Sequence, residues 1–263
     1  MCLILLSYRM HPLYPLIVAA NRDEFYDRPS AAADFWEESP EILGGRDLKD
    51  GGTWLGITRE GRFAALTNYR DPLSIKLGAP SRGWLVQNYL LGLEDPEFYL
   101  QNLSGQADRY NGFSLIVGDR RRLYYYSNRG SCRELSAGLY GLSNRFLDTP
   151  WPKVEKGKEA LKGILEKNER TSPEDLFTVL NDRSRPEDGR LPDTGIGPDW
   201  ERILSPIFIE SPDYGTRSST VLIIDRSGWA TFSERSFNTH PEPWMTSQFR
   251  FRIGSDRSRI KGH

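Results

Sequence analysis

Cys2-Leu3-Ile4-Leu5-Leu6-Ser7-Tyr8 and Pro15-Leu16-Ile17-Val18-Ala19-Ala20 are two short apolar runs joined around Arg9-Met10-His11-Pro12. Runs of this length and composition, separated by turn residues, predict a β-hairpin. Cys2 heads the first run, directly after the initiator Met. Cys is small, so removal of Met1 is the expected fate in a cell. Removal leaves a thiol and a free α-amine on one residue. An α-amine with a reference pKa of about 7.7–8.0 acts as a base near neutral pH. A nucleophile at the N-terminus can therefore carry its own general base, without a His or a triad. The plainer reading is that a Cys near a terminus serves as a small buried hydrophobe.

The same pattern of short paired runs recurs along the chain. Thr53–Thr58 and Arg62–Asn68 form a pair around Glu60-Gly61, and Phe113–Gly118 and Leu123–Ser127 form another. Leu139–Leu142, Pro206–Glu210, Ser219–Asp225 and Trp229–Glu234 read as further strands, with Phe249–Ile253 at an edge. Helices are predicted from Ser81, after Asp95-Pro96, over Pro152–Lys167, and after Ser172-Pro173-Glu174-Asp175. Asp182–Trp200 is rich in Pro, Gly and Asp and reads as a loop with the reach to cover a pocket. Hairpins with helices grouped in blocks point to an α+β layering of two antiparallel sheets, with helices on both outer faces.

The 263 residues carry 35 basic and 36 acidic side chains, so no net charge points to nucleic acid or an anionic surface. With 38% apolar and 12% aromatic residues, one domain over 1–263 has ample material for a core. No apolar run approaches the ~20 residues of a membrane span. The N-terminus lacks the basic region and cleavage site of a signal peptide. Two cysteines, Cys2 and Cys132, and three histidines, His11, His240 and His263, show no metal-ligand spacing. These features predict a reducing, cytoplasmic setting. Arg250–Lys261 holds five basic side chains and one acid. A solvated strand end or frayed tail is the expected reading there, ahead of an anion site.

Asn21-Arg22-Asp23-Glu24 follows the second run directly and reads as a polar turn at the strand's end. An Asp there can approach Cys2 across the hairpin and hold its α-amine. Gly44-Gly45-Arg46-Asp47 and Gly51–Gly56 match no nucleotide-binding pattern and fit tight turns or close backbone approach. Asn68 and Asn144 each end a strand. Each is a turn residue or, beside a reacting carbonyl, an oxyanion donor. Arg217 opens a buried strand, where it can clamp a carboxylate or lower a thiol pKa.

Taken together, Met1-Cys2, Asn21–Glu24, Gly44–Asp47, Gly51–Gly56, Asn68-Tyr69-Arg70, Ser81-Arg82-Gly83, Gly141–Asn144, Leu191–Gly195 and Tyr214–Thr220 resemble one family. It is called NRDE after its motif, or the transport and Golgi organisation family. The resemblance implies an N-terminal-nucleophile hydrolase fold, a four-layer αββα sandwich related to penicillin V acylases and conjugated bile-acid hydrolases. It implies Cys2 as nucleophile and base, Asp23 as the group orienting the amine, and Asn68, Asn144 and Arg217 in the remaining catalytic roles. It implies binding roles for Asn21, Arg22, Glu24, Trp54, Tyr69 and Arg82. The acylases have an Arg where this chain has Ala19. Adjacent residues of a strand point to opposite sides, so Arg22, next to Asp23, is expected to face away from the thiol.

Two functions follow from the resemblance. One is hydrolysis of a linear amide or thioester of a small acyl compound through an acyl-cysteine, with no cofactor required. The other is non-enzymatic binding and trafficking of haem or of acyl-CoA and lipid, with Cys2, His11 or Met10 as an axial ligand to haem.

Overall fold

The computed structural model describes residues 2–167, 170–238 and 242–254. Met1, His240, His263 and the part of the basic stretch beyond residue 254 lie outside the described residues.

The chain opens with strands β1 (Cys2–Tyr8), β2 (Leu16–Phe25), β3 (Ser30–Trp36), β4 (Ser39–Asp47), β5 (Leu55–Thr58) and β6 (Phe63–Asn68). Helices α1 (Gly83–Leu91) and α2 (Pro96–Ser104) follow, then strands β7 (Phe113–Gly118), β8 (Leu123–Ser127), β9 (Cys132–Glu134) and β10 (Gly138–Leu142). Helices α3 (Pro152–Lys167), α4 (Pro173–Leu180) and α5 (Pro198–Ile203) lead to β11 (Tyr214–Ile224), β12 (Trp229–Ser236) and β13 (Met245–Arg252). One antiparallel sheet has the order β10-β1-β2-β11-β12-β13, and the other runs from β3 to β9 in chain order.

Alternation along the strands divides the core. Ile4, Leu6, Val18, Ala20 and Leu222 face the second sheet and meet Leu43, Ile57, Phe63 and Ile116 there. Leu3, Leu5, Ile17, Ala19 and Val221 face outward and are covered by α3 and α4 through Val154, Leu161, Leu176 and Leu180. On the far side, α1 and α2 cover Ala64, Leu66, Leu115 and Val117 with Leu85, Tyr89 and Leu100. The result is the α+β sandwich of four layers, α-β-β-α. The strands are apolar on both faces because both faces are covered, and each such Leu or Ile contributes about 1.5–3 kcal/mol on burial.

The helix starts follow from the chain. Asp95 accepts the Glu97 N–H at the start of α2. Ser172 and Asp175 form a reciprocal capping box at α4.

Two expectations are corrected. Asn21–Glu24 is not a turn, because β2 runs on through Phe25 with Asn21, Arg22 and Asp23 buried. Asn21 and Asp23 are hydrogen-bonded by tertiary partners that a local reading does not see, and Arg22 lies over the Trp54 ring. Pro206–Glu210 is apolar but forms no strand beyond the isolated Glu210–Gly215 bridge. It packs as irregular buried chain, with the Phe208 N–H on the Asp182 carbonyl and the Ile209 N–H on Thr216 Oγ1.

The space between the sheets also holds a carboxyl. Glu234, 1% exposed, accepts the Ala33 N–H at 2.7 Å and the Thr220 hydroxyl at 2.8 Å. Burial pushes its carboxyl up to about 7. Between its ordinary value and 7, the folded chain holds a proton that the unfolded chain has lost, so stability falls as pH rises through that window. Glu234→Gln keeps the shape and a donor and acceptor without the charge. Relative to the natural chain it is expected to gain stability, on the order of 3 kcal/mol, as pH is raised from about 4.5 to above 7. Urea denaturation of both chains across that range measures this, and parallel pH profiles would refute it.

Candidate active site around Cys2

The hairpin register sets the site. β1 and β2 pair antiparallel with Cys2 directly opposite Arg22 and Leu3 opposite Asn21. Directly opposed residues share a face, with Cβ atoms about 4.5–5.5 Å apart. Arg22 is therefore on the thiol's side, and the expectation that it faces away is overturned. That expectation took Asp23 as the thiol-facing residue, whereas the register gives that place to Arg22.

Cys2, Arg22, Asp23, Glu24, Trp54, Asn68 and Arg82 line one cavity of about 440 Å³. Arg22 is 6% exposed, stacks on the Trp54 ring at 4.4 Å, and has no hydrogen-bond partner for Nη1 among the described residues. Trp54 fits because position 45 is Gly, where a Cβ would lie 2.3 Å from the indole. Gly52, at φ +83°, lets its turn approach the Gly83 backbone, where a Cβ would lie 2.4 Å away. This brings the start of α1, with Arg82, against the cavity. The Arg82 guanidinium donates to the Gly112 carbonyl at 3.0 Å, and burial lowers its pKa. Glu24 is half-buried, 3.9 Å from Arg28.

Burial pushes the Cys2 thiol up. The Asp23 carboxylate adds to that, while the Arg22 charge and the Asp23 backbone N–H oppose it. Ser143 donates to the Cys2 carbonyl at 3.2 Å. Asn144, fully buried behind the cavity, donates to the Asn68 carbonyl at 2.9 Å.

The Asp23 side chain accepts the Thr216 hydroxyl at 2.8 Å, and Tyr214 donates to the Asp23 carbonyl at 2.9 Å. Burial pushes the Asp23 carboxyl up, and the strongest opposing side-chain charge is Lys153. Lys153 sits in the first turn of α3, buried, with its ammonium on the Leu204 carbonyl at 2.9 Å. Burial lowers its pKa to about 8. Beside it, Arg70 and Glu201 form a buried ion pair at 2.7 Å, and Glu201 also accepts the Thr194 N–H at 2.9 Å.

The remaining residues lie elsewhere. Asn21 faces the helices, donating to the Leu180 and Ile207 carbonyls and accepting from Ser219. Tyr69 packs against Phe146 with the rings tilted by 59°, and Arg145 lies over its ring. Arg217 sits at a bulge in β11 and donates to the Phe25, Tyr26, Arg28 and Phe237 carbonyls. No residue of Asp182–Trp200 lines the cavity. Cys2 and Cys132 are both free thiols, on different sheets. Among the described residues, no helix is long and apolar enough to cross a membrane.

The sequence profile of the transport and Golgi organisation 2 family matches residues 1–239. The chain belongs to this family. Transport and Golgi organisation protein 2 homologues from Bos taurus and Homo sapiens are 41% and 38% identical to it, each over 97% of this chain and the whole of the relative. The Drosophila melanogaster family member is 28% identical over 90% of this chain and 92% of its own. Among solved structures, two variants of the conjugated bile acid hydrolase of Clostridium perfringens share the fold. Their TM-scores are 0.53 and 0.51 at 8% identity, covering 99% and 96% of this chain and 100% and 98% of theirs. This family member therefore shares the layered fold of that protein.

Sequence reading missed Lys153. A signal was present: Lys153, Gly157 and Leu161 recur every fourth residue along the buried stripe of α3. Lys153→Met would leave the Asp23 carboxylate without its main side-chain counter-charge. It would also leave the buried Leu204 carbonyl without its donor, and an unsatisfied buried polar group costs about 1–3 kcal/mol. Urea denaturation near pH 7 is expected to show a loss of that size, and a loss below about 1 kcal/mol would detach Lys153 from the Asp23 network.

Proposed function

We propose that this chain is a cysteine hydrolase that cleaves a linear amide or thioester of an acyl compound through an acyl-cysteine at Cys2. The observation that carries this reading is the shared cavity, where the Cys2 thiol and the Nη1 edge of a buried Arg22 stand on the same face. The fold likeness to a conjugated bile acid hydrolase supports it.

A thiol pushed up by burial is neutral near pH 7 and needs a base. Removal of Met1 supplies one, the Cys2 α-amine. The amine takes the thiol proton, and the sulfur attacks the substrate carbonyl carbon. A C–S bond forms and charge collects on the carbonyl oxygen. The Arg22 guanidinium and the Asn68 side chain line the space where that charge develops. Collapse breaks the C–N or C–S bond of the substrate, and the leaving group takes the proton from the ammonium. Water, deprotonated by the same amine, then releases the acid. Asp23, held by Thr216 and faced by Lys153, stabilises the ammonium form. Asn144 acts through the Asn68 backbone. The free thiols suit a reducing, cytosol-like compartment.

A second reading, binding of acyl-CoA or lipid without turnover, is favoured by the cations Arg22 and Arg82 in the lining of the same cavity. For haem, Cys2 at the head of β1 and Met10 or His11 past its other end are alternative axial ligands, with His11 buried against Tyr14.

Intact mass before and after a thioester probe is the decisive measurement. The expected result is a chain starting at Cys2 with a single acyl adduct there. Turnover is expected to fall at least a thousandfold in Cys2→Ala and in a form whose N-terminus is blocked by an added residue. Full turnover by the blocked form overturns the mechanism. Acyl-CoA binding with no adduct and no turnover selects the second reading.

A further inference from the structure

At the end of the sandwich opposite Cys2, a separate cavity of about 360 Å³ opens between the sheets. Hairpin turns gather around it: after β1, before β6, between β7 and β8, and between β11 and β12. Its floor is apolar, formed by Tyr8, Leu16, Phe63 and Leu123. Its rim carries the exposed Arg9, Arg120 and Arg226.

None of these three arginines makes an ion pair with a described residue. Elsewhere in the fold arginines are commonly paired: Arg28 with Asp47, Arg122 with Asp95, Arg202 with Asp188 and Arg235 with Glu174. Two carboxylates do line the cavity, but each is engaged in its own turn. Asp119 Oδ1 accepts the Arg121 and Arg122 N–H groups, and Asp225 Oδ1 accepts those of Ser227 and Trp229. Two of the guanidinium groups are instead held by backbone, Arg9 by the Arg121 carbonyl and Arg226 by the Pro12 carbonyl. Arg9, Arg120, Arg226 and Arg252 outnumber the two carboxylates of the lining, and cations in excess above an apolar slot are complementary to an anion with an apolar tail.

We infer that this cavity is a second ligand site, which takes a small amphipathic anion with its apolar chain between the sheets and its carboxylate or phosphate at Arg9, Arg120 and Arg226. Guanidinium groups match both head groups through paired N–H donors. The volume lies at the small end of the roughly 300–1,000 Å³ of ligand pockets. The basic strand end singled out in the sequence enters here through Arg252, which lines the same cavity. The site shares no lining residue with the Cys2 cavity, so it stands or falls independently of the chemistry there.

Isothermal titration calorimetry on the full chain, with sodium octanoate, octyl phosphate and inorganic phosphate, tests the inference. Octanoate and octyl phosphate are expected to bind saturably, and inorganic phosphate at least tenfold more weakly because it has no chain. Arg9→Gln/Arg120→Gln/Arg226→Gln alters only exposed side chains and is expected to weaken the two amphiphiles at least tenfold. Cys2→Ala/Arg22→Gln is expected to leave their binding unchanged. Binding that survives the triple substitution, or that is lost in the Cys2 cavity variant, overturns the inference. So does inorganic phosphate binding as tightly as octyl phosphate, or no saturable binding by either amphiphile.

Discussion

The register of β1 against β2 is the constraint on which the rest of this structure depends. With Cys2 opposite Arg22, the even-numbered residues of both strands face the second sheet and the odd-numbered ones face the helices. A slip of one residue would exchange the two sets and bury Arg22 against the helices. The hydrophobic demand of two covered faces therefore fixes more than the core. It places a thiol and a guanidinium side by side at the end where the strands stop being apolar.

Continuing β2 past its apolar stretch creates a demand of its own, because Asn21, Arg22 and Asp23 are polar and buried in a strand. Each packs against a different layer. Asn21 is met by the end of α4 and the chain before β11, Arg22 by the indole of Trp54, and Asp23 by Thr216 with Lys153 facing it. The polar end of one strand thereby joins both sheets and the outer helices. Docking of α3 and the electrostatics beneath Cys2 are one event, since Lys153 is delivered by the first turn of that helix.

Elements with strong local signals were legible in the sequence. Phe113–Gly118 with Leu123–Ser127, Pro152–Lys167 and the capped α4 are found where turn chemistry and periodicity place them. β3 and β4 were not, because Ser30-Ala-Ala-Ala-Asp and Ser39-Pro-Glu carry low strand propensity. They are held in the sheet by pairing and by the Ala33 contact to Glu234, which lies far along the chain. Cys2, Asp23, Asn68 and Arg82 were readable as candidates that the fold brings to one cavity. The orientation of Arg22 was not, since it depends on which residue pairs with which, and alternation alone leaves that choice open. The apolar Pro206–Glu210 misled for a related reason: burial makes a segment hydrophobic whether or not its backbone joins a ladder.

The bulge at Arg217 frees that side chain from the alternation of β11, and its guanidinium gathers carbonyls from the turn after β2 and from the end of β12. The chain segment carrying Arg22 and Glu24 is thus pinned just beyond the cavity before any ligand arrives. A ligand entering there meets walls that are already ordered and bears little of the entropic cost of arranging them. The signature is calorimetric: a modest heat-capacity change, set by the ligand's own apolar surface rather than by folding of the protein around it.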